Sequence, residues 1–247
     1  MVFHTKGLVA SVSIAITSFS TVALANNDNV YVQASSGSFN NAAINTLYSK
    51  TELAQPSYVF SGTPLQTFVA ANNDAALAFT ALENSTIKGN LVRATVAAIQ
   101  EYQVVEVEAG IRTAIEMCVL RSKSDVEASI PLQQIASHPA ALKQIDRWKG
   151  QYTELQELEI PKGTAEAARM VATGELPSGT AAIGACMLEE LYPQITVTAK
   201  AVQDNKDNKT LFALMKVTKR TTPLSVSDAE NELRAVILQA EAYDAKL

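Results

Sequence analysis

The stretch TELQELEIPKGTAEAARMVATGELPSGTAAIGA, residues 153–185, decides the fold class. TELQELEI alternates polar and apolar residues, the period of a strand with one face buried. GTAEAARMVATGE is built from good helix formers and reads as a helix. TAAIGA is a short apolar run that suits a buried strand. Strand, helix and strand in succession form the unit of an α/β sheet. The same alternation continues outward on both sides. Before it come strands at VYVQ (30–33), SYVF (57–60), AALAFTAL (75–82), VVEVEAGI and AIEMCVLR. Helices are expected between them, from Phe39 to about Ser49, in TPLQTFVAANN with Thr63 as cap and Pro64 in the first position, and in LVRATVAAIQEY. LQQIAS leads into HPAALKQIDRWKG, read as one helix capped by Ser137 with Ala141, Leu142, Ile145 and Trp148 on one face. After it come a helix at CMLEELY and strands at ITVTAKAV and TLFALMKV. The expectation is an α/β protein with mainly parallel sheets.

Both ends differ from this pattern. Residues 1–25, MVFHTKGLVASVSIAITSFSTVALA, carry one lysine, an apolar core too short to span a bilayer well, and Ala23 and Ala25 before a cleavage point. They read as an export signal, which gives a mature start at Asn26 and a periplasmic or secreted protein. No later segment is a membrane candidate. The tail, 218–247, contains SVSDAENELRAVILQAEAYDAKL, where Ser227 and Glu230 have capping-box spacing ahead of one helix. That helix is too short to build a core of its own, so it reads as a packing helix, and it could contribute to a homodimer.

Composition narrows the function. A formal net charge of -5, no basic run and 6% aromatic residues leave no electrostatic footprint for nucleic acid. Beyond the leader the chain has one histidine, His138, and two cysteines, Cys118 and Cys186. That set cannot build a His/Cys metal cage, and no metal or cofactor is expected. The thiols are either a disulfide pair in an oxidising compartment or two small buried hydrophobes. ALENSTIKGN (81–90) reads as a strand running into a polar turn whose backbone could hold an anion. Asn84 and Asn208 also head the sequons NST and NKT. The asparagines and aspartates of 204–208 otherwise read as a solvated loop.

SSGSFNNAA (35–43), ALENSTIKGN (81–90), ASHPAALKQ (136–144), GTAEAARMVA (163–172), TAAIGA (180–185) and QDNKDNKTLFAL (203–214), in this order, resemble the catalytic domain of prephenate dehydratases. The resemblance covers about 29–217. It implies two α/β lobes with a central cleft, similar to type II periplasmic binding proteins. The domain would be 26–217, with lobe 1 at about 26–103 plus 208–217 and lobe 2 at about 104–197; a regulatory ACT domain is absent. It implies a small-molecule substrate, prephenate or a related dicarboxylate, converted to phenylpyruvate with loss of carbon dioxide and water. Thr210 matches the threonine of the family's Thr-Arg-Phe signature, thought to be the acid. Asn84 and Ser85 match its Asn-Ser pair, Gly89 a downstream glycine, and Thr164 a small hydroxyl before a helix. Ser38 and Phe39 stand where the family has Thr-Phe, and Phe212 closes the signature. His138 matches the SHPQA element and reads as a residue that positions the turn. By the same mapping Cys118 and Cys186 both fall in the second lobe, close enough to pair.

The chain departs from the family at Leu211, where the signature has its arginine, so a cation expected to hold a substrate carboxylate is missing. Lys209, two residues earlier on the same strand face as Leu211, is the candidate substitute. Two alternatives to a dehydratase follow: a relative that decarboxylates prephenate without aromatising it, and a non-catalytic binding protein or secreted effector acting on shikimate-derived metabolites.

Overall fold

The structure is a computed structural model that describes residues 29–51 and 54–247 together with Met1. The expected export signal and the expected start at Asn26 lie outside the described residues. Among the described residues no helix is long and apolar enough to cross a membrane.

The first lobe begins with β1 (Asn29–Val32), α1 (Phe39–Lys50), β2 (Ser57–Phe60), α2 (Pro64–Asn73), β3 (Leu77–Asn84), α3 (Arg93–Glu101) and β4 (Tyr102–Ala114). The chain then crosses to the second lobe and builds β5 (Met117–Ser122), α4 (Lys123–Glu127), β6 (Gln134–Ser137), α5 (Pro139–Leu142), α6 (Asp146–Lys149), β7 (Gln156–Glu159), α7 (Thr164–Ala172), β8 (Thr180–Ala185), α8 (Leu188–Leu191) and β9 (Ile195–Ala199). It returns through 200–208 as β10 (Lys209–Lys219) and closes with α9 (Val226–Asp244). The sheet orders are β2-β1-β3-β10-β4 and β7-β6-β8-β5-β9.

The two lobes thus follow one plan. Three parallel strands, β2-β1-β3 or β7-β6-β8, hold helices between them. A fourth strand runs antiparallel to both its neighbours, β10 in the first sheet and β5 in the second. The α/β class, the two lobes and the terminal helix are as expected. The sheets are mixed rather than mainly parallel, because each fourth strand enters its sheet from the other lobe instead of from a helical crossover. The first crossing falls after Ala114 rather than near 103, because all of β4 stays paired to β10, from Lys209↔Ala114 to Lys219↔Tyr102.

Three local expectations change. HPAALKQIDRWKG breaks into α5 and α6, because Asp204 from the returning segment inserts there. Its carboxylate accepts from the N–H groups of Asp146 (2.8 Å) and Arg147 (2.9 Å), and its own N–H donates to the Gln144 carbonyl. Ala141, Leu142 and Ile145 are still buried in the core, with Trp148 packed against it. His138, not Ser137, caps α5, its Nδ1 accepting from the Ala140 N–H; Ser137 ends β6 and donates to the Ile183 carbonyl. Ser225, not Ser227, caps α9: its hydroxyl accepts from the Asp228 N–H at 3.1 Å. Glu230 instead pairs with Arg93. Helix α9 then lays Ala229, Leu233, Val236, Ile237 and Ala240 on the outer face of the first sheet. It comes so near at Gly110 that a Cβ there would sit 2.2 Å from the Ala240 carbonyl oxygen.

Cys118 and Cys186 are joined by a disulfide, with Cα atoms 5.1 Å apart. The bond ties the start of β5, next to the crossing, to the turn after β8.

Candidate functional site

The parallel strands of each lobe hand the chain to helices at their carboxyl ends, and four of those helix starts meet. Ser38, Thr63, His138 and Gly163 are the N-caps of α1, α2, α5 and α7. All four line one cavity of about 400 Å³ between the lobes, together with Lys162 and Thr164. Binding at the carboxyl ends of strands is the usual habit of open α/β sheets. Three of the caps are spent on their own helices. Ser38 accepts from the Asn41 N–H at 3.3 Å, Thr63 from the Gln66 N–H at 3.3 Å, and His138 from the Ala140 N–H at 3.2 Å. The α7 start is different. Its cap is a glycine at φ +122°, which has no side chain to accept from the first N–H groups of that helix. Helix starts and one lysine make this cavity the electropositive part of the cleft.

A second cavity, about 390 Å³, lies on the other side of the α1 start; Phe39, next to the Ser38 cap, lines it. Its walls come from both lobes: Asn84, Thr210 and Phe212 from the first, Met117, Ala140 and Gln144 from the second, and Asn208 from the returning segment. Among the described residues, none with a charged side chain lines it. Phe212 forms its apolar floor, stacked on Phe79 with ring centroids 5.5 Å apart and planes 8° from parallel. The Asn40 side chain is also part of the lining, and its Oδ1 is buried without a hydrogen-bond partner among the described residues.

A row of amides crosses this second cavity. The Asn84 Oδ1 accepts from the Thr86 backbone N–H at 2.9 Å. A backbone N–H can only donate, which fixes the Asn84 amide with its Nδ2 toward Thr210 and Asn208. That Nδ2 donates to the Thr210 Oγ1 at 2.7 Å and to the Asn208 Oδ1 at 2.8 Å. The Asn208 Nδ2 donates to the Gln144 Oε1 at 2.9 Å, and the Gln144 Nε2 to the Ala140 carbonyl at 2.7 Å. Thr210 is therefore an acceptor from the protein, and its own hydroxyl proton is left for the cavity.

The sequence-derived residues divide accordingly. Asn84, Thr210, Phe39 and Phe212 share the uncharged cavity; Ser38 and Thr164 line the electropositive one. Ser85 lines neither. Its hydroxyl is engaged with the backbone of Asp207 and Lys209, each at 3.0 Å, as part of the β3–β10 pairing. Gly89 takes a positive φ of 76° in the exposed turn and is also outside both cavities. In this turn the N–H groups of Ser85, Thr86, Ile87, Asn90 and Leu91 are bonded within it or to β10.

Lys209 is exposed and lines neither cavity, so it does not replace a missing cation. Leu211 is not at the cleft either: it is 0% exposed on the opposite face of β10, packed with Leu233, Val236 and Ile237 of α9. Sequence reasoning missed Gln144, and it placed Asn208 in the cleft only as the head of a sequon. Asn208, read as part of a solvated loop and as a sequon, is 2% exposed with its amide bonded at both ends, which leaves no room for a glycan on the folded chain. Its position two residues before Thr210 was the available signal, because alternate residues of a strand share a face.

A family model described as prephenate dehydratase matches residues 30–220. No curated protein sequence matches the chain. Among solved structures, the prephenate dehydratase of Arthrobacter aurescens in complex with L-Phe is 19% identical, with a TM-score of 0.61 over 80% of this chain and 61% of that one. The prephenate dehydratase of Staphylococcus aureus subsp. aureus Mu50 is 17% identical, with a TM-score of 0.54 over 78% of this chain and 68% of that one. GqqA, described as a novel type of quorum quenching acylases, is 21% identical, with a TM-score of 0.55 over 80% of this chain and 66% of that one. About a third of each of these proteins has no counterpart in this chain. At such identities the likeness is one of fold.

Proposed function

Because the chain belongs to the prephenate dehydratase family, we propose that it binds prephenate in the interlobe cleft and converts it to phenylpyruvate, carbon dioxide and water. The observation that carries this reading is the Thr210 hydroxyl, which accepts from Asn84 and so keeps its proton for a ligand. The side-chain carboxylate of prephenate fits the electropositive cavity, against the uncapped α7 start and Lys162. The ring then extends past Phe39 into the uncharged cavity, over Phe212. Thr210 gives its proton to the ring hydroxyl as the carbon–oxygen bond breaks. The ring carboxylate departs as carbon dioxide, and its bonding electrons complete the aromatic ring. Thr210 regains a proton from water, so one proton is consumed per turnover. A ring carboxylate in a cavity without a cation loses charge as it leaves, so the uncharged walls favour the transition state over the bound substrate. The reading therefore does not need an arginine at position 211.

Export is part of the proposal. It is supported by the sequence of residues 1–25 and by the Cys118–Cys186 disulfide, a bond characteristic of oxidising compartments.

The test is incubation of the chain, disulfide intact, with prephenate and identification of the product. Phenylpyruvate supports the reading. A non-aromatic decarboxylated acid, or binding without turnover, would replace it with another chemistry or with a binding role. Thr210→Val keeps the shape and removes the proton. It should lower kcat by roughly 10²-fold or more with little change in affinity, the range for loss of a positioned general acid.

A further inference from the structure

We infer that Asn208 is a positioning residue that acts through Asn84 to hold the Thr210 proton toward the cavity, its own orientation set by contacts to both lobes. The inference rests on the dehydratase reading.

Asn208 stands at the junction of the two crossings. Its backbone carbonyl accepts from the Ile115 N–H at 2.8 Å, so the main chain there is tied to the other crossing segment. Its side chain reaches both lobes, toward Asn84 on one side and Gln144 on the other. Both ends of the amide row have fixed polarity. The Thr86 N–H can only donate to Asn84, and the Ala140 carbonyl can only accept from Gln144. Each amide between them has one orientation that gives every donor an acceptor. Turning Asn208 over would set its NH₂ against the Asn84 NH₂ and its carbonyl against the Gln144 carbonyl, two repulsive contacts in a site only 2% exposed.

Gln144 is the member of the row that belongs to the second lobe. Asn84 presents an N–H to Asn208 from the first lobe, and Gln144 selects the same orientation of Asn208 from the other side of the cleft. With the Asn208 oxygen accepting one Asn84 N–H, the other Asn84 N–H stays on the Thr210 oxygen and the hydroxyl proton points into the cavity. Asn208 touches no reacting atom in this scheme. It acts through Asn84 on Thr210.

The experiment is prephenate turnover by full-length variants with the disulfide intact. Asn208→Leu has a similar shape and no polar atoms. It should lower kcat by roughly tenfold to a hundredfold with KM within about twofold, inside the ~10²–10⁴ that a positioned general acid supplies. In the Thr210→Val background the same substitution should have no further effect, since the group it positions is already gone. Asn208→Asp gives a second reading that survives a folding defect in the leucine variant. Its ionised form faces the Gln144 oxygen with another oxygen, whereas its protonated form donates as the amide does. Its activity relative to the unsubstituted chain should therefore rise as pH falls. Effects of Asn208→Leu and Thr210→Val that multiply, unchanged activity in Asn208→Leu, or an Asn208→Asp ratio independent of pH would each overturn the inference. Absence of turnover in the unsubstituted chain would overturn the dehydratase reading instead.

Discussion

Replacing Leu211 with arginine restores the family's signature, and the sequence alone suggests that the change should strengthen binding of an anionic substrate. The structure gives the opposite expectation. Leu211 is 0% exposed and faces the α9 side of the first sheet, away from both cavities. Its cross-strand neighbours are Glu83 and Arg112. The carboxylates that a new guanidinium could reach there are already in use, with the Arg112 Nη2 at 2.6 Å from both Glu83 and Glu241. Losing a fully buried leucine costs about 1.5–3 kcal/mol, and forcing extra volume under α9 costs about 1–3 kcal/mol. A second cation sharing two occupied carboxylates adds part of the several kcal/mol that desolvating an ion demands. The total is at least about 4 kcal/mol, which for a chain of this size lowers Tm by about 8–16 °C. Thermal unfolding followed by circular dichroism, with prephenate affinity measured on the same samples, checks this. An unchanged Tm together with tighter prephenate binding would show that side chain 211 reaches the cleft and that the face assignment of β10 is mistaken.

Two further expectations concern the export reading and the crosslink it allows. Reducing the Cys118–Cys186 bond, whose partners are 68 residues apart, should destabilise the chain by about 4 kcal/mol in the chain-entropy account. A urea unfolding midpoint unmoved by reductant would contradict that. Protein recovered from outside the producing cell should begin at Asn26, and N-terminal sequencing that finds Met1 intact would rule out cleavage after Ala25.

Periodicity carried most of the fold. The strand–helix–strand stretch 153–185 forms β7, α7 and β8, and Thr63 and Pro64 open α2 as their chemistry requires. What local pattern could not carry was any feature fixed by a distant partner. The break between α5 and α6 is imposed by Asp204, 58 residues beyond Asp146, and nothing inside HPAALKQIDRWKG announces it. The site shows the same division. Asn84 and Thr210 were legible from their motifs, and β3–β10 pairing sets them opposite each other. Ser85 belongs to the same motif, yet its hydroxyl is taken up by the backbone of the strand partner. The face of Leu211 was open to the alternation rule, since Thr210 and Leu211 are adjacent and must point to opposite sides of the sheet.

The place of β10 in the first sheet has a consequence for how the chain acquires its shape during synthesis. β10 lies between β3 and β4, so these two strands have no partner on their facing edges until residues 209–219 have emerged. The second lobe, a continuous segment from β5 to β9, can close its sheet before that. A ribosome-bound chain halted before Lys209 would therefore carry one finished half and one half with two open inner edges, the kind of surface that invites chaperones or aggregation. Completion of the first lobe delivers Asn208 and Thr210 to Asn84 in the same step, so the amide row is assembled only once β10 has been made.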